Sequence, residues 1–347
     1  MTPSQIRALR AEYPQSRARD FAQAHGLTEA ALVAAYTGLH VTRIDARPLV
    51  LVPRLAALGD VMALTRNASA VHERRGVYDG FKGSETVGMV LGEEIDLRIF
   101  PAHWHSAFAV AEPDGDTVKC SLQVFDAHGE AVHKVVLKPE SDVAAFDALV
   151  ADLRLDDQAQ EEPTSPAPAP EGAKADPARR DALLADWDRM TDTHQFFGLV
   201  KKHKANRLGA YRLAGAPHAR MLELDAVTRA LELSAEGGFP IMIFVGNRGC
   251  IQIHSGPVQK IVPMGTWINV LDPRFNLHLR SDHIAEVWLV EKPTRRGPAV
   301  SIEAFDAAGE LILQMFPKRA SEESPEGVDE WNAMARGLAG LMAEAAE

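Results

Sequence analysis

The sequence predicts an internally duplicated α+β protein built on antiparallel sheet. Three observations carry that expectation. Ten residues recur at an offset of 180: Ser121–Glu130 reads SLQVFDAHGE and Ser301–Glu310 reads SIEAFDAAGE, with six positions identical. The same offset, without a gap, sets Met62, Asn67 and Gly76 against Met242, Asn247 and Gly256. It also sets Leu97, His103, Val110 and Pro113 against Leu277, His283, Val290 and Pro293. Finally, helical and strand-like stretches segregate instead of alternating, which argues against a doubly wound sheet.

Each element follows from local pattern. In the first half, RDFAQAHGLTEAALVAAYTG is helical. In the second, the helical stretch is ARRDALLADWDRMTDTHQFFGLVKKHKANRLGAYRL. FPIMIFVGNRGCIQIHSGPVQKIV is two apolar runs around the turn signal Gly-Asn-Arg-Gly. AEVWLVEKPTRRGPAVSIEAFDAAGELILQMF repeats that pattern, and in FDAAGE an Asp at the first turn position with Gly at the fourth suits a type I turn. DEWNAMARGLAGLMAEAAE reads as a closing amphipathic helix. Between the halves, DDQAQEEPTSPAPAPEGAKADPAR has five prolines and no aromatic residue. Such a segment buries too little apolar area to offset its ordering entropy and is expected to be a mobile linker. The expected organisation is an N-terminal repeat over 1–155, a linker over 156–180 and a C-terminal repeat over 181–347.

Composition excludes several functions. The formal charge of −11 over 347 residues disfavours nucleic acid and anionic lipid. No apolar run approaches the roughly 18 residues of a membrane-spanning helix, so no stable membrane insertion is expected. MTPSQIRALRAEYP has no apolar signal core, and Cys120 and Cys250 form neither CxxC nor zinc spacing. A cytoplasmic protein with reduced, buried thiols is expected.

Common catalytic motifs are missing: there is no GxSxG, HExxH, Walker A loop or GxGxxG. Gly83-Ser84-Glu85 and Gly237-Gly238 are too short to cradle a phosphate. His103-Trp104-His105 could set two imidazoles on one strand face, but a zinc site needs further ligands at identifiable spacing. TDTHQFFGLVKKHKANRLGAY says more. Asp192 or Thr193 is placed to cap a helix, which puts His194 in its first turn. The positive end of the helix dipole disfavours an imidazolium there. A neutral His194 keeps a lone pair for iron, and Phe196, Phe197 and Leu199 offer an apolar wall. From spacing alone, His194 is either such a ligand or an ordinary surface histidine.

These stretches are familiar together. ALTRNASAVHERRGVY, IDLRIFPAHWHSAF, MTDTHQFFGLVKKHKANRLGAYR, IFVGNRGCIQIHSGPV, WINVLDPRFNLHLR and AFDAAGELILQMF, in this order, resemble the HemS/ChuS/PhuS family of bacterial haem-utilisation proteins, also called hemin-degrading factors. The resemblance covers almost everything except the linker. It implies two large antiparallel β-sheets stacked in a saddle with flanking helices, and one haem b (iron protoporphyrin IX) in a cleft of the C-terminal half.

The resemblance also assigns roles. It makes His194 the proximal iron ligand and Arg98 the distal, catalytic arginine. Arg207, Lys292 and Arg319 fall where the family holds the haem propionates, a task suited to guanidinium and ammonium groups. Phe244 and Gln314 would line the pocket, and His72 matches a histidine that binds a second haem in some relatives. His72 aligns internally with Gln252 and Arg98 with His278, so the two halves do not present equivalent sites. One departure stands out: relatives often carry tyrosines flanking the distal glutamine, where this chain has Leu313 and Phe316.

Two functions follow from the resemblance. One is an enzyme that opens the haem ring oxidatively. Its electrons would come from an external reductase, since no flavin or nicotinamide fingerprint is present. The other is a carrier that takes haem from an inner-membrane importer to a separate haem oxygenase, with His203 and His218 as alternate ligands.

Overall fold

The computed structural model describes residues 1–319 and 327–340. The final residues of the predicted C-terminal helix, 341–347, lie outside that description. The chain divides into two compact units. The first comprises Met1–Arg66, Val71–Pro168 and Gly246–Ile253. The second comprises Asn67–Ala70, Ala169–Val245 and the chain from His254 on. Among the described residues no helix is long and apolar enough to cross a membrane.

The first half of the chain carries helices α1 (Pro3–Glu12), α2 (Ala18–Ala24), α3 (Glu29–Ala34), α4 (Pro48–Leu51) and α5 (Val143–Leu153). Its strands are β1 (Val41–Ile44), β2 (Val61–Arg66), β3 (Ala70–Gly76), β4 (Phe81–Gly83), β5 (Gly88–Leu91), β6 (Asp96–Ile99), β7 (Ser106–Asp114), β8 (Thr117–Phe125) and β9 (Ala131–Leu137). The second half adds α6 (Arg180–Asp188), α7 (Gln195–Lys202), α8 (Arg207–Ala214), α9 (Ala226–Gly237) and α10 (Val328–Gly337). Its strands are β10 (Ala219–Leu222), β11 (Ile241–Gly246), β12 (Cys250–Gly256), β13 (Ile261–Met264), β14 (Trp267–Asp272), β15 (Phe275–Arg280), β16 (Glu286–Lys292), β17 (Ala299–Phe305) and β18 (Leu311–Pro317).

All the strand pairs described are antiparallel. In the first unit the order is β1-β7-β8-β9-β2-β3. A second run, β4-β5-β6, is completed by the first residues of β12, where Ile251 faces Arg98. The second unit has β10-β16-β17-β18-β11 and β13-β14-β15. This is the expected α+β class.

The duplication holds in register from β2 and β11 onward, while Val41 and Ala219, which face the equivalent Val110 and Val290, are 178 residues apart. Val61 faces Leu137, and Ile241 faces Pro317. A bulge falls between Val124 and Phe125 and again between Ala304 and Phe305. The turn after each bulge closes as its residues demand. Asp126 Oδ1 accepts from His128 N and Glu130 N, at 2.8 and 3.0 Å, and Asp306 Oδ1 from Ala308 N and Glu310 N, both at 2.9 Å. Gly129 and Gly309 take the left-handed position at φ +79° and +82°, which glycine adopts without strain.

Each unit also takes in a hairpin tip from the other half of the sequence. In the second unit Asn67 Nδ2 donates to Ile312 O at 2.8 Å; in the first, Asn247 Nδ2 donates to Val132 O at 2.8 Å. Each asparagine also accepts two backbone N–H groups of its own turn. The tip in the first unit fits closely, since a Cβ on Gly249 would stand 2.6 Å from Val132 Cγ1.

The linker holds no long regular element, yet it is anchored. Gln158 exchanges two hydrogen bonds with the Arg43 backbone at 3.0 Å, and the Arg43 guanidinium holds Ala159 O, Glu161 O and the Glu162 carboxylate. Within the second unit, Lys174 pairs with Asn206 through both its N–H and its C=O, at 3.0 and 2.9 Å. Most of these anchors join a side chain to a backbone group, five of them far along the chain from it, so local composition carries no trace of them.

Candidate functional site

In α7, Phe196, Leu199 and Val200 form the buried stripe of an amphipathic helix, spaced by three and four residues. Phe196 is packed against Trp187 of α6 and Tyr211 of α8, with ring centroids 4.7 and 5.6 Å away. Phe197 lies off the stripe and is 75% exposed. The expected apolar wall is therefore reduced to Phe197, because Phe196 and Leu199 serve the core.

His194 occupies the N-cap position itself, one or two residues later than the expected cap at Thr193 or Asp192, and its side chain is 94% exposed. Asp192 fastens the turn before the helix: its Oδ1 accepts from His194 N at 2.8 Å and lies 2.6 Å from His194 Nδ1. Those contacts hold the Asp192 carboxyl below its ordinary range, the backbone N–H contributing most. With Nδ1–H donated to the carboxylate, the lone pair is on Nε2, directed away from Asp192. The turn is fastened on both sides. Thr191 N donates to Gln195 Oε1 at 2.8 Å, and Arg295 N donates to Thr191 O at 3.1 Å.

Arg207 and Lys292 converge on a residue the sequence reading did not single out. Glu303, fully buried, accepts from Lys292 Nζ at 3.0 Å and Ser301 Oγ at 2.8 Å through one oxygen. Its other oxygen accepts from Arg207 Nη1 at 2.9 Å and Tyr211 Oη at 2.8 Å. Burial works to raise the Glu303 carboxyl, but Lys292 and Arg207 overcome it and hold the group at about 2. Burial brings the Lys292 ammonium down to about 8 against the pull of Glu303. The Phe196 ring lies 5.6 Å from the Arg207 guanidinium carbon and 4.8 Å from Lys292 Nζ, a cation–π arrangement.

The two cations are not equivalent. The Lys292 side chain is 3% exposed and committed to Glu303, whereas the Arg207 side chain is 35% exposed and meets this network only through Nη1. Arg207 thus has a further guanidinium edge for an anion. Lys292 is occupied by Glu303.

Gln314 of β18 faces Glu303 of β17 on one side and Phe244 of β11 on the other, so these three side chains form one cross-strand row. Phe316, two residues along, shares that face, with its ring 5.2 Å from Phe244. Leu313 points the other way and is buried in the apolar core. Only position 316 could therefore present a phenol to this face. Arg319 follows β18, half-buried, and donates to Arg296 O at 3.1 Å.

The remaining candidates lie elsewhere or are engaged. Arg98 is in the first unit, its guanidinium paired with Asp96 on the same strand and donating to Leu97 O at 3.1 Å. Burial pushes the Asp96 carboxyl up in spite of that pair. His72 is fully buried on β3, opposite Thr65. A ligand role there requires its surroundings to open. His203 and His218 present Nε2 to Asp186 and Asp188, each at 2.7 Å, so neither is free to exchange onto iron. His103 and His105 are exposed, and no cluster of three metal-ligating side chains exists among the described residues. Cys120 and Cys250 are free thiols and buried, as expected.

The halves differ where the site lies. Lys134 stands at the repeat position of Gln314 and is tied to Glu29, while Gln123 stands at that of Glu303. The signal for Glu303 was present in the sequence: a carboxylate inside the apolar run AVSIEAF has to be paired if that strand is buried.

Comparison with known proteins gives a consistent result. The family model described as the haemin-degrading HemS.ChuX domain matches residues 26–153 and 204–338, one span in each half, with Asp192 and His194 between them. The hemin transport protein HmuS of Yersinia pestis is 38% identical over 321 residues, covering 91% of each chain. The crystal structure of holo-PhuS, a heme-binding protein from Pseudomonas aeruginosa, matches with a TM-score of 0.93 and 42% identity, covering 98% of this chain and 100% of that one. The heme degrading enzyme ChuS of Escherichia coli O157:H7 matches with a TM-score of 0.87 and 32% identity, over 96% and 97% of the two chains.

Proposed function

The chain belongs to the HemS family of haemin-degrading proteins, and from that premise we propose that it binds haem b through His194 in cytoplasmic bacterial haem-iron utilisation and takes part in opening the haem ring oxidatively. The observation that carries this reading is the Asp192–His194 pair. It leaves Nε2 as the only lone pair of an imidazole that is 94% exposed, with the exposed Phe197 three residues on. An apolar, iron-bearing macrocycle matches that combination of a free nitrogen and an uncovered phenyl ring.

The rest of the second unit supports it. Arg207 offers a guanidinium edge to one propionate, and Arg319 is assigned to the other. Lys292 and Glu303 set the position of Arg207. Phe244 and Gln314 line the pocket from the sheet. Bound haem supplies the redox chemistry, and an external reductase supplies the electrons. A guanidinium offers only donors, so the role of Arg98 is to donate hydrogen bonds or stabilise negative charge on the distal side.

A second reading, carriage between an inner-membrane importer and a separate haem oxygenase, is favoured by the exposure of His194, since an open ligand exchanges readily. Turnover distinguishes the two. Haem-loaded protein is given ascorbate or a reductase in air, with catalase present to remove free peroxide. Loss of the Soret band with release of a linear tetrapyrrole, slowed by Arg98→Ala, supports ring opening. A stable ferrous spectrum with transfer of haem to an acceptor, indifferent to Arg98→Ala, supports carriage.

A further inference from the structure

Resting on the haem reading above, we infer that Asp192 is a positioning residue acting through His194: its carboxylate holds the Nδ1 proton, strengthens Nε2 as an iron donor and stabilises ferric over ferrous haem. Three histidine–aspartate pairs in the second unit differ in how they present the ring. His203 meets Asp186, and His218 meets Asp188, through Nε2 at 2.7 Å, with side chains only 5% and 14% exposed. In both rings Nδ1 is buried without a partner. His194 is turned the other way: it meets Asp192 through Nδ1 at 2.6 Å and leaves Nε2 on a side chain that is 94% exposed. Two pairs are folded into the protein. The third presents its free nitrogen outward.

The carboxylate is 58% exposed but fixed in place by its turn. One oxygen, Oδ1, takes both the backbone N–H and the ring Nδ1 of His194, so ring and main chain are fixed to the same atom. The turn beneath it is held by Thr191 N on Gln195 Oε1, by Gln195 Nε2 on Thr191 Oγ1 at 3.3 Å, and by Arg295 N on Thr191 O. A carboxylate accepting the distant N–H of a metal-bound imidazole raises that ligand's basicity, and hydrogen bonding beyond the ligand is one of the levers on haem potential.

The test uses the haem-loaded full chain. Asp192→Asn keeps an oxygen for the backbone N–H and removes the charge; Asp192→Ser is a second neutral cap. Both variants are expected to lower the iron–histidine stretching frequency of the ferrous form and to move the ferric/ferrous midpoint in the positive direction. Haem affinity should fall about tenfold. If stretch and midpoint stay at wild-type values in both variants while His194→Ala abolishes the iron–histidine band, the proposal is overturned and the ligand assignment survives. If His194→Ala leaves that band in place, the ligand assignment itself fails and the role of Asp192 fails with it.

Discussion

Lys292 Nζ lies 3.0 Å from Glu303 Oε1, and the two side chains are 3% and 0% exposed. Such a pair adds little net stability over an apolar substitute, but breaking it strands a buried charge. Glu303→Gln is therefore expected to destabilise the fold by about 3 kcal/mol. Urea unfolding measures this, and a loss within the noise of an ordinary surface substitution would show that the pair is dispensable.

The same carboxylate predicts a pH dependence. Its value in the folded protein is about 2, depressed from the usual 4.5. Between these values the unfolded chain binds the proton more readily, so stability rises with pH there. The contribution of Glu303 is complete above 4.5 and is lost as pH falls towards 2. Unfolding midpoints across this window should slope less in Glu303→Gln than in the wild type; parallel slopes would remove Glu303 as the source.

His133 provides an acid-labile point in the first unit. Tyr78 Oη donates to its Nε2 at 2.5 Å, its Nδ1–H donates to Thr65 Oγ1 at 2.8 Å, and burial holds the ring neutral, down to about 3 from 6.5. The folded form resists the proton that the unfolded chain accepts, so this contribution is complete above 6.5 and falls away towards 3. The repeat position in the second unit is the apolar Leu313. His133→Leu should flatten the acid limb while costing about 2 kcal/mol at neutral pH, because Tyr78 and Thr65 lose their partner. Thermal melts from neutral to acid pH test both halves of that statement.

Gly209 seats the linker. A Cβ there would overlap the Lys174 carbonyl, and Asn206 beside it caps α8 while binding Lys174. Gly209→Ala should lift this stretch and speed tryptic cleavage after Lys174. An unchanged cleavage rate would mean that the seat yields without releasing the linker.

Phe197→Ala separates stability from binding. The ring is 75% exposed, so removing it should change stability by no more than about 0.5 kcal/mol. If haem is held by His194 as proposed, the same ring would gain cover, and its loss should weaken haem binding several-fold. Equal haem affinity in variant and wild type would place the porphyrin elsewhere.

Much of the fold could be read from the sequence because it repeats. One offset of 180 residues predicted which strands correspond, and the structure extends that register to the bulges before Phe125 and Phe305. The cap residues pointed to a helix start at Asp192 or Thr193, and the structure puts the cap one or two positions later, at His194. What stayed hidden depends on contacts between distant residues. Arg207 and Glu303 meet across 96 positions, and Asn247 and Val132 across 115. No local spacing records such a meeting. The Asp192–His194 pair was hidden for another reason: aspartate two residues before a helical histidine reads as a cap, and its second bond, to the ring, leaves no mark on the pattern.

The proposed haem site rests on ligation of iron by His194. Equilibrium titration of the full chain with ferric haem, followed at the Soret band for wild type and His194→Ala, tests it most directly. Ligation by His194 predicts a saturating one-to-one Soret shift in the wild type that is lost or displaced in the variant and restored by added imidazole to His194→Gly. An identical Soret position and affinity in wild type and His194→Ala would contradict it.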